Sequence, residues 1–375
     1  MNFDYTEEQQ LLAESVRRFM ARDYTFESRK KTAISQSGIS DAVWKTFAEM
    51  GLLGLSIPAE HGGFGGGALD LMSTMDAIGE ALVVEPFLPT VLGARLVALA
   101  GNDAQKAAIL PRVSEGSLRL AFASTEEHSR YDLARIATKA RRDGDGWVLD
   151  GEKRVVLGGP QAGLLIVSAR TAGSGNDAAG VSLFAIEPGA AGIARNDYRT
   201  FDGLRACDLQ LKGVRVKGDA LLGAEGTQLA AIEAGVDFAI ALLCAEAVGA
   251  MRYANETTLE YLKTRKQFGV PIGAFQALQH RMVDMVITCE QARSMASLAC
   301  ARVDAEADPR ERSRAASAAK IKIADACRHI SQESVQLHGG MGMTEELKVS
   351  HTFRRLTMIA QQFGDADHHL ARYGR

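Results

Sequence analysis

The sequence has no excess of charge of either sign. Its 375 residues include 43 Lys and Arg against 46 Asp and Glu, which gives a formal net charge of −3 at pH 7. Proteins that hold nucleic acid or an anionic membrane surface depend on a basic field, because phosphate contacts supply much of their affinity. We therefore expect neither nucleic acid nor a membrane as a partner.

Cysteine is scarce and follows no metal-binding pattern. An odd number of cysteines without any Cys-x-x-Cys spacing argues against a disulfide framework and against a zinc site. The sequence predicts buried free thiols in a reducing compartment. The five residues are Cys207, Cys244, Cys289, Cys300 and Cys327.

Targeting and membrane-spanning signals are also missing. Residues 1–8 are acidic and polar, unlike a secretory signal or an Arg-rich transit peptide. The most apolar segment, about residues 238–251, is shorter than a membrane span and is interrupted by Glu246. These features predict a cytoplasmic protein in which that segment is a buried helix.

The first third of the chain has the apolar spacing of helices. Thr6, followed by Glu7, Glu8 and Gln9, predicts a capped amphipathic helix. The glycine-rich run 58–67 predicts a surface loop, because glycine is unfavourable inside a helix. Helical spacing resumes at residues 69–100, with a break around Pro86 and Pro89. We expect an N-terminal helical domain at residues 1–118.

The pattern changes after residue 118 to the period of two that is typical of strands. Runs 120–123, 147–149, 164–168 and 181–186 read as strands. Asp143-Gly144-Asp145-Gly146 and Asp150-Gly151 predict tight turns before and after the second run. The sequence predicts an antiparallel β-sheet or small barrel at residues 119–223.

Long helical segments return in the last part of the chain. They are separated by the turn Pro271-Ile272-Gly273 and by a charged connection around Asp308-Pro309. We expect a C-terminal helical bundle of at least four helices at residues 224–375. The predicted class is α+β, mainly α, and the order helical, β, helical leaves many folds open by itself.

Two segments of the bundle carry residue types suited to a nucleotide. Arg265 offers paired donors to a pyrophosphate, and the ring of Phe268 suits a nucleotide face. The structural alternative is an arginine favoured by the helix dipole and a phenylalanine in the core. Residues 336–342 form the run Gln-Leu-His-Gly-Gly-Met-Gly, whose glycines let backbone N–H groups approach phosphates or merely end a helix. We expect His338 to be structural, and likewise His368 and His369.

Together these segments resemble the acyl-CoA dehydrogenase family, over essentially the whole chain. The resemblance implies FAD as cofactor, and an arginine and a phenylalanine that reach the adenine-dinucleotide end of a neighbouring subunit's FAD. The matching residues are Arg265 and Phe268, joined by Gln276, Gln336, Gly339 and Gly340. It also implies an acyl-CoA substrate, a tetramer and an electron-transfer flavoprotein as acceptor.

The middle of the chain departs from that family's pattern. Thr125 matches a threonine that touches flavin and substrate, but Tyr131 stands where the family has a serine. Val155-Val156-Leu157 replaces a Trp-x-Thr that packs against the flavin ring. The resemblance therefore implies an altered pocket at the reacting end of the flavin.

The usual base of the family is also missing. Dehydrogenation needs a carboxylate beside the α-carbon of the substrate. The matching residue near the C-terminus is Phe363, and at the alternative position used by isovaleryl-CoA types it is Ala239, next to Ile240 where an arginine is often found. Asp237 is kept. No role is therefore assigned to a catalytic residue.

Two nearby carboxylates are possible substitutes. Asp365 lies two residues after Phe363, but an aspartate after a glycine is more often a turn or cap residue. Glu246 lies seven residues after Ala239, on nearly the same helical face but roughly 10 Å along the axis. We expect structural pairing of Glu246, since a carboxylate in so apolar a run needs a partner.

The ending Gln362-Phe363-Gly364-Asp365 resembles the small subunit of pimeloyl-CoA dehydrogenase and other β subunits of heteromeric enzymes that act on dicarboxylyl-CoA or steroid side-chain CoA thioesters. The leading hypothesis is a base-lacking subunit for FAD-dependent α,β-dehydrogenation of an acyl-CoA. The alternatives are a self-sufficient homotetramer with an unusual base, a flavin-free scaffold subunit, and a related flavin oxidase or monooxygenase.

Overall fold

A computed structural model describes residues 6–375 of the chain. The polar start at residues 1–5, including the first residues of the family resemblance, lies outside the described part. The N-terminal helices are α1 (Glu7–Asp23), α2 (Phe26–Ile34), α3 (Asp41–Glu49), α4 (Ala68–Ala81), α5 (Phe87–Ala100) and α6 (Asp103–Ser114).

The middle strands are β1 (Leu120–Ala123), β2 (Lys139–Asp143), β3 (Gly146–Leu157), β4 (Leu164–Arg170), β5 (Val181–Ile186), β6 (Ile193–Arg199), β7 (Arg205–Val216) and β8 (Leu221–Leu222). The remaining elements are α7 (Leu229–Thr264), β9 (Lys266–Gln267), β10 (Val270–Pro271), α8 (Gln276–Ala305), α9 (Pro309–His338), α10 (Lys348–Gln361) and α11 (Ala366–Tyr373).

The predicted cap of the first helix is confirmed. Thr6 Oγ1 accepts the Gln9 N–H at 3.2 Å, and the Thr6 N–H donates to Gln9 Oε1 at 2.9 Å. The predicted break in the second helical run lies before α5, which starts at Phe87. Pro89 falls in the first turn of α5, where a helix needs no N–H donor, so it does not interrupt the helix.

The middle strands form one eight-stranded sheet. Its order is β6-β7-β3-β2-β4-β5-β8, and β1 pairs with β4. Most pairs are antiparallel as predicted, but β1 and β2 both run parallel to β4. The core of the sheet includes an edge-to-face contact between Trp147 and Phe184, whose ring centroids lie 5.4 Å apart.

The prediction of a turn at Asp150-Gly151 is wrong. Strand β3 continues through these residues to Leu157, with a shift in its register against β7 between Leu149 and Gly151. Gly151 takes a φ of 153°, and Asp150 accepts the N–H of Gly213 at 2.7 Å. A bulge of this kind bends a strand without ending it, and its sequence looks like that of a turn.

The chain forms two compact units. One comprises the described residues up to Lys30 together with Ala68–Val83 and Ile240–Arg375; the other comprises Lys31–Gly67 and Val84–Ala239. The division falls within α7. The predicted boundaries near residues 118 and 223 remain a prediction.

Helix α7 is the buried helix predicted for residues 238–251, although it is longer, at 36 residues. By length and composition it passes the test for a membrane span, yet 94% of its most apolar window is buried inside the protein. That burial is typical of a core helix. All five cysteines are buried free thiols, as predicted, and burial raises the pKa of Cys244 to about 12.

Helices α4 and α7 cross with their backbones in contact. A Cβ atom added at Gly79 would lie 1.8 Å from the carbonyl oxygen of Glu246, and one added at Gly249 would lie 1.8 Å from that of Asp76. Each helix therefore supplies a glycine at the point where the other helix's carbonyl approaches. Arg252 spans the same crossing, since its Nη2 donates to Asp76 at 2.7 Å and to Glu80 at 2.6 Å.

We expect Gly79→Ala and Gly249→Ala each to lower the free energy of unfolding by about 3 kcal/mol, because the helices must separate to admit a methyl group. Urea denaturation measures the change. Gly189→Ala is the matched control, since a Cβ there meets no atom within 4 Å. Equal stability of the Gly79→Ala variant and the control would contradict the close crossing.

Candidate functional site

The segment after α7 is a short hairpin that presents Phe268 to solvent. Strands β9 and β10 pair antiparallel, and the two residues between them, Phe268 and Gly269, have φ values of 55° and 83°. A bulky residue with positive φ is a backbone outlier that costs roughly 1–2 kcal/mol. Phe268 is 91% exposed. Its strained, uncovered position excludes the alternative of an ordinary core phenylalanine in this chain.

Arg265 is held by its backbone while its side chain stays available. Its N–H donates to the Tyr261 carbonyl at 2.8 Å, and its own carbonyl accepts the Ile272 N–H at 2.8 Å. Over residues 6–375 the guanidinium makes no ion pair or side-chain hydrogen bond, and the residue is exposed. A free guanidinium on a fixed backbone suits a phosphate ligand.

A ring contact joins this segment to the end of α9. The rings of Tyr261 and His338 stack with centroids 4.5 Å apart. His338 Nδ1 donates to the Ser334 carbonyl at 2.7 Å, and burial lowers the pKa of His338. His338 is structural, as predicted, and it brings Arg265 and Gln336 to the same end of the helices.

The glycines after α9 are of two kinds. Gly342 is packed, since a Cβ there would lie 2.6 Å from the Val335 carbonyl. A Cβ at Gly339 or Gly340 would meet no atom within 4 Å. Gly339 has a φ of 59°, which favours glycine, but the fold gives no reason for glycine at position 340. Open space beside an exposed backbone allows a ligand to approach closely.

Gln276 and Gln336 are exposed near the same segments. Gln276 is the first residue of α8, and Gln336 lies in the last turn of α9. Arg265, Phe268 and these two amides are side chains that fit the phosphates and polar edges of a dinucleotide. The residues present therefore fit the dinucleotide end of FAD, and their individual roles remain predictions.

A cavity of about 450 Å³ opens beside α9, α10 and the start of α11. Its ionisable lining consists of the carboxylates of Asp325, Asp365 and Asp367 and the guanidinium of Arg328. The excess of negative charge is unfavourable for a phosphate. The phosphates of a cofactor are thus better accommodated at Arg265 and Gly340.

Thr125 belongs to the other compact unit and lies on an exposed loop. Its carbonyl accepts the Arg154 N–H at 2.8 Å. The next residue, Glu126, forms a buried ion pair with Lys153 at 2.7 Å, and Lys153 also donates to the Ser124 carbonyl at 3.3 Å. The loop is held firmly on both sides of Thr125, whose hydroxyl remains exposed.

Val155, at the position where the family has tryptophan, is also strained. Its φ is 51° and its side chain is 48% exposed. Asp208 accepts the Val155 N–H at 2.9 Å and the Tyr198 hydroxyl at 2.8 Å. These bonds hold a second shift in the register of β3 against β7, between Lys153 and Val156. Valine provides neither the ring nor the hydroxyl of the family pattern.

Phe363 lies in a left-handed turn between α10 and α11. Phe363 and Gly364 have φ values of 60° and 127°. The phenyl ring contains no atom that takes a proton. The position of the usual base is therefore built as a constrained turn but carries no base.

Both nearby carboxylates have structural partners. Asp365 is the N-cap of α11, where its Oδ1 accepts the His368 N–H at 2.8 Å. Glu246 is buried and accepts from Arg355 Nε at 2.5 Å and Nη2 at 2.9 Å. The expected cap and the expected structural pairing are both present. Ala239, at the other familiar position, is fully buried.

Sequence reasoning missed Lys320, which lies beneath the Phe363 turn. Its Nζ donates to the carbonyls of Gly364 at 2.7 Å and Ala360 at 3.1 Å. The available signal was a lysine on the apolar face of α9, between Ala319 and Ile323. His369, expected to be structural, donates from Nε2 to the Phe363 carbonyl at 3.1 Å.

Comparison with known proteins gives matches along the whole chain. The family models for the acyl-CoA dehydrogenase N-terminal, middle and C-terminal domains match residues 6–117, 121–214 and 229–374. The acyl-CoA dehydrogenase FadE12 of Mycobacterium tuberculosis is 33% identical over 366 residues, which covers 96% of this chain and 93% of that protein.

Two solved structures are similar in fold and are named for pairs of chains. A variant of the Tcur3481-Tcur3483 steroid ACAD is 31% identical with a TM-score of 0.87, covering 98% of this chain and 97% of that one. The ChsE4-ChsE5 complex from Mycobacterium tuberculosis is 25% identical with a TM-score of 0.89, covering 100% and 98%. The predicted order of helical, β and helical domains is confirmed.

We expect stability to fall as the pH drops below 6.5, partly because of His369. Burial, followed by the charges of Lys320, His368 and Arg372, lowers the pKa of His369 to about 3. The unfolded chain binds this proton near pH 6.5, so the folded state loses about 1.4 kcal/mol per pH unit below that value.

Urea denaturation between pH 7 and pH 5 measures the slope. His369→Gln keeps an N–H donor but does not titrate, and it should reduce the slope by this amount. Identical slopes for the variant and the wild-type chain would contradict a neutral His369.

We expect Phe268→Asn to raise the free energy of unfolding by about 1 kcal/mol, because asparagine tolerates positive φ. Phe64→Asn is the control, since Phe64 is 68% exposed and is not among the described residues with positive φ, so it should not gain stability. Urea denaturation measures both. A loss of stability in Phe268→Asn would mean that the edge-to-face contact of its ring with Phe275, at a centroid distance of 6.1 Å, outweighs the backbone strain.

Proposed function

This chain belongs to the acyl-CoA dehydrogenase family, and we propose that it is the base-lacking subunit of an enzyme built from two related chains. The family consists of flavin-dependent oxidoreductases that act on acyl-CoA thioesters. Within such an enzyme, this chain contributes to α,β-dehydrogenation, and a related chain supplies the proton acceptor.

One observation carries the proposal: neither position that matches a base of the family has a carboxylate, and the two candidate substitutes already have partners within the described part of the chain. Position 363 is a phenylalanine, Asp365 caps a helix, and Glu246 is occupied by two hydrogen bonds from Arg355. Removal of an α-proton requires a base within hydrogen-bond reach of it. An independent homotetramer would have to find this base elsewhere.

The dinucleotide end of the site supports retention of a cofactor-binding role. Arg265 has a free guanidinium, Phe268 is uncovered, and Gly340 leaves open space beside the backbone. When bound, FAD supplies a hydride acceptor for the β-carbon. Arg265 would bind the pyrophosphate, and Phe268 would cover the nucleotide, at the cofactor of the neighbouring chain.

Helix α8 has an exposed apolar stripe that suits contact with another chain. Val283, Val286 and Ile287 are each about half exposed and lie three and four residues apart. Residues at this spacing share one face of a helix, and a contiguous apolar face is typical of a protein interface. The ChsE4-ChsE5 complex and the Tcur3481-Tcur3483 steroid ACAD are each named for two chains, which supports assembly with a second chain.

Co-expression with a related chain that carries the missing glutamate tests the proposal. We expect the mixed complex to contain FAD and to oxidise an acyl-CoA with an electron-transfer flavoprotein as acceptor. Changing that glutamate to glutamine in the related chain should abolish turnover. Full turnover by this chain alone would contradict the proposal, and a colourless complex after reconstitution with FAD would indicate a scaffold subunit.

We expect Gly340→Ala to weaken FAD binding by the mixed complex by about tenfold, roughly 1.4 kcal/mol, because a methyl group enters the space left for the ligand. The melting temperature should not change, since a Cβ atom at position 340 would meet no atom of the chain within 4 Å. Gly175→Ala, also in open space, is the control. Unchanged flavin affinity in Gly340→Ala would place the dinucleotide elsewhere.

A further inference from the structure

The turn at Phe363 and Gly364 is held by two side chains that no sequence motif identified. Lys320 Nζ donates to the Gly364 carbonyl at 2.7 Å and to the Ala360 carbonyl at 3.1 Å. His369 Nε2 donates to the Phe363 carbonyl at 3.1 Å, while its Nδ1 accepts from the Ser317 hydroxyl at 3.2 Å. Because a carbonyl only accepts, these contacts fix the tautomer of His369.

Lys320 is an unusual choice for a purely structural bond. Its side chain is fully buried, and among residues 6–375 it forms no ion pair. The ionisable groups that act on it through space are Cys244, Cys327 and Asp365. Burying an ammonium group without a paired charge is costly, and burial accordingly lowers the pKa of Lys320.

The turn also stores strain that something must maintain. A phenylalanine at a φ of 60° lies in the left-handed region, which is unfavourable for a residue with a side chain. Gly364 is crowded, since a Cβ there would lie 2.5 Å from His369 Nε2. Strained backbone persists only where its surroundings over-determine it. Lys320, on α9, and His369, on α11, donate hydrogen bonds to successive carbonyls of the turn.

We propose that Lys320 and His369 are positioning residues that hold the Phe363–Gly364 turn so that the side chain at position 363 keeps one direction toward the acyl-CoA. The Phe363–Gly364 turn that would orient a base is thus retained, although the base itself is absent. This inference rests on the proposed function. It adds that the missing carboxylate is a loss of one side chain and not of the backbone that would orient it.

The test introduces a carboxylate at position 363 of the turn. Phe363→Glu is made in this chain alone, supplied with FAD, and incubated in D₂O with butyryl-CoA, octanoyl-CoA and palmitoyl-CoA. Mass spectrometry then measures deuterium at the α-carbon. Exchange needs only a base: the carboxylate takes the α-proton, the electron pair delocalises into the thioester, and a deuteron returns to carbon from the exchanged carboxyl group.

We expect Phe363→Glu to deuterate at least one thioester. Adding Lys320→Met should lower the deuteration rate about 100-fold, because a small displacement of the carboxylate from the α-carbon slows proton transfer by a factor of this size. Lys322→Met is the matched control, because Lys322 lies on the same helix but donates to Gln291 Oε1 and not to the turn, and it should leave the rate unchanged. His369→Gln should retain the rate, and His369→Leu should lower it.

Hydrogen exchange of the otherwise unaltered chain separates positioning from general stability. Lys320→Met should raise amide exchange at residues 361–366, with little change in the rest of α9 and α10. Equal deuteration rates with and without Lys320→Met, unchanged protection of residues 361–366, or no deuteration of any thioester by Phe363→Glu would each overturn the inference. None of these outcomes bears on turnover by the mixed complex, which tests the proposed function.

Discussion

The crossing of α4 and α7 is the constraint on which the helical unit depends. Gly79 and Gly249 let the two backbones touch, and this contact fixes the position of Glu246 on α7. The buried side chain of Glu246 then pairs with Arg355, so α10 is fixed relative to α7. A buried pair of this kind is worth little compared with apolar packing, but breaking it is costly. It specifies the arrangement more than it stabilises it.

From α10 the same constraint reaches the turn that holds Phe363. The helix ends at Gln361. Lys320 donates to the carbonyl of Gly364, and His369 donates to that of Phe363. Backbone strain marks this turn and two other positions important for the family resemblance, Val155 and Phe268, among the five described non-glycine residues with positive φ. Strain is commonly stored where a protein acts on a ligand.

Local signals predicted the elements that local interactions decide. The cap at Thr6, the glycine-rich loop at residues 58–67 and the long buried helix all follow from the preferences of neighbouring residues. Asp150-Gly151 misled, because a β-bulge and a tight turn use the same residues and only the partner strand distinguishes them. Lys320 gave little warning, since a single lysine in a helix normally reaches solvent and its acceptors lie 40 and 44 residues away.

The sequence by itself determined that the two positions matching the family's base carry no base, because the side chains of Phe363 and Ala239 take no proton in any fold. Through the family resemblance it also predicted Arg265 and Gly340 as cofactor-binding residues. Only the tertiary structure decided that Glu246 is unavailable, since its partner Arg355 is 109 residues away and is brought to it by helix packing. It also decided that Lys320 and His369 donate to the carbonyls of the turn at Phe363, because helix packing brings these side chains to acceptors that no local pattern predicts.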